Sequence, residues 1–542
     1  MIRSKRSSIR IPENSKLFRI CSVPSQSLQA KDKQMIWRND GMIKNVLEWL
    51  EETAKKCPEK PAYLEKENSL SFAATEHLAK SIGSALMSVK NTAPVAVISG
   101  RRIETIPAYL GIVYSGHAYA PIDGTLPRRR IETIVSTLKP SAILADEQYY
   151  DLAKELSDGE APVFLLEEVS HTTIDQDGLD RIRRAMVMTD PLYVIFTSGS
   201  TGKPKGVITS HQSLICYIES YAQVMEIDGT DCIGNQSPLD YIAAIRDIYL
   251  PLYKGASSVI IPKEYFMEPN RLFEFMNKFA VTSVGWSVSA FTILLSLGAF
   301  EEMGLTSLKK VCFSGSVMPS SCLSVWQKNL PDAKFVNQYG PTEATASCSY
   351  YVVDHIAASD EQLPIGVPYQ NYEVFLLNHD LTETKQGEIG EICVSGPILA
   401  LGYYNDPERT EKSFMINPNC RAYPKRMYRT GDYGRIRDDG MLEFHGRMDR
   451  QIKHMGHRVE LDEIEYAAEQ LDGIAESAAL YYKEKETLYL FYAGKIEKRA
   501  LILELRKTLP GFMVPRKVIQ MDSLPKLANG KLDMNTLKEE MK

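Results

Sequence analysis

At 542 residues and 61.0 kDa, the chain is longer than one hydrophobic core usually serves, which predicts two or more domains. Its content of 44% hydrophobic and 24% charged residues is typical of a globular protein. The net charge of −6 and the pI near 6.0 argue against a nucleic-acid-binding protein, which normally presents a basic face.

The first 41 residues differ from the rest of the chain. They carry many lysines, arginines and serines and have no apolar segment, so they do not resemble a secretory signal. We expect residues 1–41 to form a disordered leader. Residues 43–50 have apolar side chains at helical spacing, and the first helix is predicted there.

The nine cysteines are scattered and include no C-x-x-C pair. This pattern indicates reduced thiols rather than a disulfide framework or a zinc site. No apolar run is as long as a membrane-spanning helix. We therefore expect a cytoplasmic protein that has no membrane span and does not bind nucleic acid.

Residues 61–191 alternate between amphipathic segments and short apolar ones. Residues 95–98 and 142–145 have the composition of buried strands, and a helical pattern precedes each of them. Strands that alternate with helices predict α/β layers around a largely parallel sheet. The glycine-containing residues 387–407 predict a β-rich subdomain, and residues 449–542 again mix helix and strand.

Residues 193–207 carry the strongest chemical signal in the sequence. An apolar run typical of a strand leads into a loop of hydroxyls and glycines that two lysines close. Glycines let the backbone approach an anion, and successive N–H groups in such a loop form an anion-binding concavity. The pattern therefore predicts a polyphosphate site. A Walker A loop is excluded, because Pro204 follows Gly202-Lys203 where that motif needs serine or threonine.

Residues 337–345 form a second candidate site. A Gly-Pro turn begins at Gly340, so Tyr339 and Glu343 are expected on a stiff loop rather than in a helix. An aromatic ring there could stack on a purine, and a carboxylate could bind Mg²⁺ together with substrate phosphates. The alternative is an exposed turn with a solvated glutamate, which the nearby polyphosphate loop disfavours.

Three polar residues in the C-terminal part of the chain are further candidates. Asp432 follows a glycine on a turn, where its carboxylate could accept hydrogen bonds from both ribose hydroxyls. Arg447 could bind phosphate, because guanidinium pairs well with phosphate oxygens. Lys531 follows Asn-Gly and so extends from a turn; taken alone, it would be a solvated surface charge.

In order and spacing, these segments resemble the core motifs of the adenylate-forming superfamily, which includes acyl-CoA synthetases, luciferases and the adenylation domains of nonribosomal peptide synthetases. The resemblance implies an α/β fold with a large AMP-binding domain at residues 42–448, made of two α/β subdomains and a β-rich subdomain. It also implies a small mobile α+β domain at residues 449–542, which swivels at a hinge at Asp449.

The resemblance implies ATP and Mg²⁺ as cofactors and assigns residues to them. Glu343 would bind Mg²⁺, and Lys531 would be the catalytic lysine that meets the α-phosphate and the substrate carboxylate. After the small domain rotates, Gly456 would line the thiol tunnel. The residues implied in ATP binding are Thr197, Ser198, Gly199, Ser200, Thr201, Gly202, Lys205, Asn337, Tyr339, Gly340, Thr342, Asp432, Phe444 and Arg447.

The implied reaction activates a carboxylic or amino acid as an acyl-adenylate, releases pyrophosphate, and transfers the acyl group to a thiol. The style of the motifs favours a stand-alone adenylation enzyme of the peptide-synthetase type, an amino acid–carrier protein ligase. No carrier segment follows Lys531, so we expect the phosphopantetheine thiol of a separate carrier protein to be the acceptor. The alternatives are an acyl-CoA synthetase that uses free CoA and an inactive adenylation-like accessory module.

The acid pocket departs from the family pattern. Amino-acid-activating relatives carry an aspartate after an aromatic residue, and the matching aromatic here is Tyr241, which Ile242 follows. The loss of that charged hydrogen bond would cost about 1.5–3 kcal/mol. The substrate could lack an α-amino group, Asp240 could bind a displaced amine, or the alignment could shift locally. Arg246 could pair with a second acidic group of the substrate or face solvent. The other pocket candidates are Gly285, Cys312, Ser314, Gln338, Ala346 and Ser347.

Overall fold

The computed structural model describes residues 43–199, 203–358, 361–526 and 532–541, apart from the side chain of Glu484. The predicted leader at residues 1–41 lies outside this part of the chain. Residues 43–542 group into one compact unit by their contacts. The first helix begins at Leu47 rather than at residue 43.

The described helices are α1 Leu47–Lys56, α2 Phe72–Leu86, α3 Thr105–Tyr114, α4 Arg128–Leu138, α5 Tyr150–Ser157, α6 Leu166–Val169, α7 Gln176–Ala185, α8 His211–Val224, α9 Ile245–Lys254, α10 Pro269–Lys278, α11 Val288–Ser296, α12 Ser320–Asn329, α13 Pro407–Ser413, α14 Leu461–Glu469, α15 Lys498–Leu505 and α16 Met534–Glu539. Short 3₁₀ helices occupy Glu147–Tyr149, Ile242–Ala244, Lys263–Met267, Thr342–Ala344, Lys483–Lys485 and Gly511–Met513.

The described strands are β1 Pro61–Glu65, β2 Asn68–Ser71, β3 Val95–Ser99, β4 Tyr119–Asp123, β5 Ala142–Ala145, β6 Val163–Leu165, β7 Pro191–Thr197, β8 Lys205–Ser210, β9 Cys232–Asn235, β10 Ser257–Ile260, β11 Ser283–Ser287, β12 Lys310–Ser314, β13 Lys334–Tyr339, β14 Ser349–Val353, β15 Val367–Pro368, β16 Glu373–Leu377, β17 Ile389–Ser395, β18 Gly402–Tyr403, β19 Phe414–Ile416, β20 Arg426–Ile436, β21 Leu442–Arg447, β22 Gln451–His454, β23 His457–Glu460, β24 Ile474–Tyr482, β25 Thr487–Gly494 and β26 Lys517–Met521.

Two large sheets form the main body, and each has a parallel centre. One has nine strands in the order β15-β14-β13-β12-β11-β9-β10-β1-β2, in which β13 through β1 run parallel. The other has seven strands in the order β18-β8-β7-β4-β3-β5-β6, in which β7 through β6 run parallel. Their central strands are buried along most of their length, as expected where helices cover a parallel sheet. Ligands of such sheets bind beyond the carboxyl ends of the strands.

Three smaller sheets follow along the chain. Strands β16, β17, β20, β19 and β21 form an antiparallel sheet. Strands β22 and β23 form a two-stranded hairpin, and β24, β25 and β26 form a sheet that α14 and α15 cover. The hairpin supplies much of the candidate active site.

The predicted α/β fold class, with a β-rich segment and a C-terminal α+β part, is confirmed. One detail is wrong: residues 402–403 do not join the β-rich sheet, because β18 pairs with β8 at the edge of the seven-stranded sheet. The boundary at Asp449 stays a prediction. Within the described residues, no helix combines the length and the apolar character that crossing a membrane requires.

Candidate active site

The polyphosphate loop joins β7 to the antiparallel strand β8, and Thr197 and Lys205 pair across its two ends. Thr197 and Ser198 are buried, and the Thr197 hydroxyl has no hydrogen-bond partner among the described residues. A Cβ on Gly199 would lie 2.1 Å from the Lys203 carbonyl oxygen, so this position needs glycine. The loop thus has the close backbone and the free hydroxyl that a phosphate group would use. Ser200, Thr201 and Gly202 lie outside the described residues.

Two described atoms of this loop contact the C-terminal part of the chain. The Ser198 hydroxyl donates to the Arg458 carbonyl oxygen at 2.9 Å, and the Gly199 N–H donates to Glu463 Oε2 at 3.2 Å. Glu463 also forms a buried ion pair with Arg130 of α4. Helix α14 and the hairpin are therefore docked on the loop.

Glu343 is fully buried and pairs with two cations. Lys205 Nζ lies 2.9 Å from Glu343 Oε1, and Arg458 Nη1 lies 3.1 and 3.0 Å from the two carboxylate oxygens. The Tyr403 hydroxyl also donates to Oε1 at 2.8 Å. The interpretation as an exposed turn with a solvated glutamate is wrong, because this side chain is 0% exposed on a 3₁₀ turn.

The charges in this cluster shift one another's pKa values. Burial would raise the pKa of Glu343, but the Arg458 and Lys205 charges hold it well below its ordinary value. Burial and the Arg458 charge lower the pKa of Lys205 to about 8. Glu460, 3.7 Å from Arg458, supplies a second carboxylate. Two cations and two carboxylates thus balance inside the cleft.

Asp432 forms a second charged cluster. It accepts hydrogen bonds from the Tyr339 hydroxyl and from Arg447. Arg447 also donates to both oxygens of Asp449, at 2.7 and 2.8 Å. Burial raises the pKa of Asp432, and the charge of Arg447 opposes this shift. The residue predicted to bind ribose is therefore joined through one guanidinium to the predicted hinge residue.

The ring of Phe444 lies near this cluster, with its centroid 6.3 Å from that of Tyr339. Asn337 is buried on β13, where its amide donates to the Pro364 carbonyl oxygen. Thr342 is buried in the 3₁₀ turn, and a Cβ on Gly340 would lie 2.4 Å from Ser347 Cα. The described residues predicted to bind the nucleotide thus cluster at the loop, at the end of β13, and on β20 and β21.

The acid-pocket candidates come together at the carboxyl ends of β11, β12 and β13. Gly285 pairs with Cys312, and Ser314 pairs with Gln338. The Ser347 hydroxyl donates to Gln338 Oε1 at 3.3 Å. The remaining candidates are Ile242, which is buried in a 3₁₀ turn, and Ala346, which is half-buried and has a left-handed φ of 72°.

Two pocket residues bear on questions that the sequence left open. Arg246 is 2% exposed, so the interpretation that it faces solvent is wrong. Asp240 accepts a hydrogen bond from the Asp123 N–H at 3.3 Å, and burial followed by the Asp123 charge raises its pKa to about 7. One of its carboxylate oxygens therefore accepts from the backbone, and binding of a displaced amine by Asp240 stays a prediction.

The tip of the hairpin reaches the pocket. The Tyr241 hydroxyl donates to the Gly456 carbonyl oxygen at 3.2 Å. A Cβ on Gly456 would lie 2.7 Å from Ser287 Cβ, and its φ is +81°, so only glycine fits here without strain. The His457 ring stacks on Phe512 at 3.8 Å and lies 5.5 Å from Tyr241.

The described residues fit ATP and, in part, Mg²⁺. No group of three His, Cys, Asp or Glu side chains suited to a metal ion occurs among them. Mg²⁺ usually keeps several water ligands and is also bound by substrate phosphates, so a single protein carboxylate such as that of Glu343 is enough to hold it. The ion pairs with Arg458 and Lys205 now surround that carboxylate, so a divalent cation fits there only if Arg458 withdraws.

A family model described as AMP-binding enzyme matches residues 50–404. The chain belongs to the AMP-binding enzyme family. The predicted superfamily, and with it the class of AMP-forming ligases, is thereby confirmed. Lys531 lies outside the described residues of this AMP-binding enzyme.

Curated relatives of this AMP-binding enzyme include a D-alanine–D-alanyl carrier protein ligase from Bacillus licheniformis. It is 29% identical over 514 residues, which cover 92% of this chain and 99% of the relative. Bacitracin synthase 3, also from Bacillus licheniformis, is 32% identical over 509 residues, 92% of this chain. This enzyme spans 8% of that synthase and 45% of tyrocidine synthase 1 from Brevibacillus parabrevis.

Among solved structures, the enzyme resembles an artificially fused adenylation–PCP didomain, NpsA-ThdA, from Klebsiella oxytoca. The TM-score is 0.78 at 21% identity, and the match covers 89% of this chain and 95% of that one. This likeness confirms the fold.

Sequence reasoning missed three residues that the structure brings to the site: Arg458, Tyr403 and Glu463. Arg458 belongs to a recognised motif, but its ion-pair partner is 115 residues away along the chain. The strand that carries Arg458 reads His-Arg-Val-Glu and is only half buried, so its local pattern gives no signal for a buried ion pair.

Proposed function

We propose that this enzyme uses ATP to activate a carboxylic acid as an acyl-adenylate, releases pyrophosphate, and transfers the acyl group to the thiol of a separate carrier protein. One observation carries the proposal: the hairpin β22–β23 lies between the polyphosphate loop and the acid pocket. Its Arg458 forms an ion pair with Glu343, and its Gly456 accepts a hydrogen bond from the Tyr241 hydroxyl. A hairpin that contacts both halves of the cleft can couple the two steps.

In the first step, the substrate carboxylate attacks the α-phosphorus of ATP, and the bond to pyrophosphate breaks. The protein contributes position and charge rather than a covalent bond. Thr197, Ser198 and Lys205, together with Thr201, would hold the β- and γ-phosphates. Asp432 would accept hydrogen bonds from the ribose hydroxyls.

Two further groups would complete the adenylation site. Lys531 would bring a positive charge to the five-coordinate phosphorus. Glu343 would hold Mg²⁺ while Arg458 is withdrawn, and the metal would neutralise charge on the phosphates. The described contacts of Glu343 therefore belong to the other arrangement, in which the hairpin is docked.

In the second step, a thiol attacks the adenylate carbonyl and AMP leaves. The small domain at residues 449–542 would rotate at Asp449 between the steps. A few loop residues can absorb such a rotation. The hydrogen bonds of Arg447 to Asp449 and Asp432 support this hinge, because a movement of Asp449 would shift Arg447 and so change its contact with the predicted ribose-binding residue Asp432.

The proposed acceptor is the phosphopantetheine of a carrier protein. The name of the D-alanine–D-alanyl carrier protein ligase from Bacillus licheniformis supports a carrier protein as the acceptor. Free CoA is the second candidate. Incubation of the enzyme, ATP and a competent acid with a phosphopantetheine-bearing carrier protein or with CoA distinguishes them. If a thioester forms only with CoA, then CoA rather than a carrier protein is the acceptor.

The first test is Lys531→Ala. We expect it to abolish substrate-dependent ATP–pyrophosphate exchange and to leave ATP binding largely intact, because a charge needed at the α-phosphorus is lost. Lys526→Ala is the matched control, since Lys526 precedes the same segment and pairs with Glu476 at 2.8 Å. Unchanged exchange in Lys531→Ala would overturn the assignment. ATP binding without exchange for any acid in the wild type would instead favour an accessory module.

A further inference from the structure

Arg246 is a buried guanidinium that forms part of the acid pocket. It lies on α9 and is only 2% exposed. A Cβ on Gly285 would lie 2.2 Å from Arg246 Nε, so the guanidinium occupies the space that a larger residue on β11 would fill. The absence of a side chain at residue 285 therefore makes room for this cation.

The donors of Arg246 are incompletely used. The guanidinium donates to the Gly285 carbonyl oxygen, and the described residues offer no hydrogen-bond partner to Nε. An arginine carries five N–H donors, and buried donors are normally paired. The Tyr217 hydroxyl is buried beside this guanidinium: burial raises the pKa of Tyr217, and the charge and a hydrogen bond of Arg246 oppose this shift. Several donors thus converge on one place.

The neighbouring carboxylate does not saturate Arg246. Asp247 Oδ1 lies 3.7 Å from Arg246 Nε, which is an ion pair but not a hydrogen bond. The other oxygen of Asp247 accepts from the Asn235 amide at 2.8 Å. Asn235 in turn accepts from Arg101, whose charge also acts on Asp247. Asp247 therefore interacts with both guanidinium groups, and its hydrogen-bonded oxygen is used by Asn235 rather than by Arg246.

The same surroundings disfavour an ammonium group. Ile242 is apolar and buried, Asp240 is bonded to the backbone of Asp123, and Asp247 lies beside Arg246. A cation placed on Asp247 would meet the guanidinium as a like charge. A second anion would instead gain a charge-assisted hydrogen bond from Arg246.

We infer that the acid activated by this enzyme is a dicarboxylic acid without an α-ammonium group, and that Arg246 binds its second carboxylate. The inference rests on the proposed adenylation. Gly285, Tyr217 and the ring of Tyr221, whose centroid lies 5.8 Å from the guanidinium carbon, would surround that carboxylate. The first carboxylate would remain free to attack ATP.

The test compares matched acids in ATP–pyrophosphate exchange with the full-length enzyme. Succinate, glutarate, adipate and terephthalate are paired with butyrate, valerate, hexanoate and benzoate, and glutamate and alanine represent α-amino acids. We expect one dicarboxylate to have the highest kcat/KM. Arg246→Met should lower its preference over the matched monocarboxylate by about 10- to 100-fold, as expected for a lost charged hydrogen bond. Arg246→Lys should restore part of it.

Two further variants keep the test decisive. Arg246→Met with Asp247→Asn removes both charges, so a loss of preference cannot be attributed to an unpaired buried carboxylate. Arg183→Met removes an arginine that pairs with Glu51 outside the pocket, and the preference should survive it. If Arg246→Met alone does not fold, the double variant supplies the comparison.

The outcomes separate this inference from the proposed function. A monocarboxylate or an α-amino acid that matches the best dicarboxylate in exchange would overturn the inference and leave adenylation intact. A dicarboxylate that binds in calorimetry through Arg246 but supports no exchange would keep Arg246 as a carboxylate-binding residue and would overturn adenylation, and with it the inference that this acid is activated. If no dicarboxylate binds or supports exchange, the inference fails.

Discussion

The phosphate end of the cleft and the acid pocket both bury a cation beside a carboxylate, but only at the phosphate end does that carboxylate accept hydrogen bonds on both oxygens. Arg458 Nε and Arg246 Nε both lack a hydrogen-bond partner among the described residues. Glu343 accepts from Lys205, Arg458 and Tyr403, and its partners come from distant parts of the chain. Arg246 and Asp247 are adjacent in sequence, and both retain a buried atom without a hydrogen bond to any described residue.

This difference separates two uses of buried charge. A cluster whose carboxylate is completely paired can hold one arrangement of the protein, because breaking it would leave a charge without compensation. An incomplete cluster can receive a ligand, because its donors have already lost their hydration in the folded protein. We therefore expect the Glu343 cluster to keep the hairpin docked and the Arg246 cluster to select the acid.

The largest effect is expected from Glu343→Gln, which removes the centre of the complete cluster. Glu460 would then be the remaining carboxylate that balances the positive charges of Lys205 and Arg458. The free energy of unfolding should therefore fall by about 3–5 kcal/mol, and ATP–pyrophosphate exchange should be lost. Urea denaturation and the exchange assay measure the two effects. In the control Glu373→Gln, which removes an exposed carboxylate that pairs with Lys425, the loss should be about 0–1 kcal/mol. Equal stability of the two variants would contradict the role given to Glu343.

An intermediate effect is expected from Arg458→Met, which removes the ion pair between the hairpin and Glu343. Thioester transfer should fall about 10- to 100-fold relative to exchange, because docking loses a charged hydrogen bond but Glu343 keeps Lys205. Single-turnover transfer and exchange are measured on the same preparation. Exposed Arg506, on the same part of the chain, provides the control Arg506→Met. A constant ratio of transfer to exchange would argue against docking through Arg458.

The smallest effect is expected from Gly456→Ala, which leaves both charge clusters intact. The added Cβ would meet Ser287 at 2.7 Å and occupy a left-handed φ, so transfer should fall roughly tenfold. Gly440→Ala has a similar φ of +83° but no described atom within 4 Å of the new Cβ, so it isolates backbone strain from the clash. Ser287→Gly should partly rescue the Gly456 variant. Failure of that rescue would show that the clash is not the cause.

Sequence reasoning predicted the strand and loop at residues 193–207 because their signal is local. A strand, small residues and a returning strand are fixed by neighbouring residues, and β7 and β8 border the loop as that pattern implies. It could not decide the position of Arg246. Every residue of α9 from Ile245 to Leu252 is buried, so the helix has no polar face from which the direction of a side chain could be read.

The sequence by itself determined which chemical groups the protein has and the local turns that carry them: hydroxyls and glycines after β7, and a carboxylate after a Gly-Pro turn. Only the tertiary structure decided which charges from separate segments meet: Arg458 pairs with Glu343, and Arg447 pairs with Asp432. Backbone geometry depends on adjacent residues, whereas the interaction of two charges depends on their distance and burial in the folded protein.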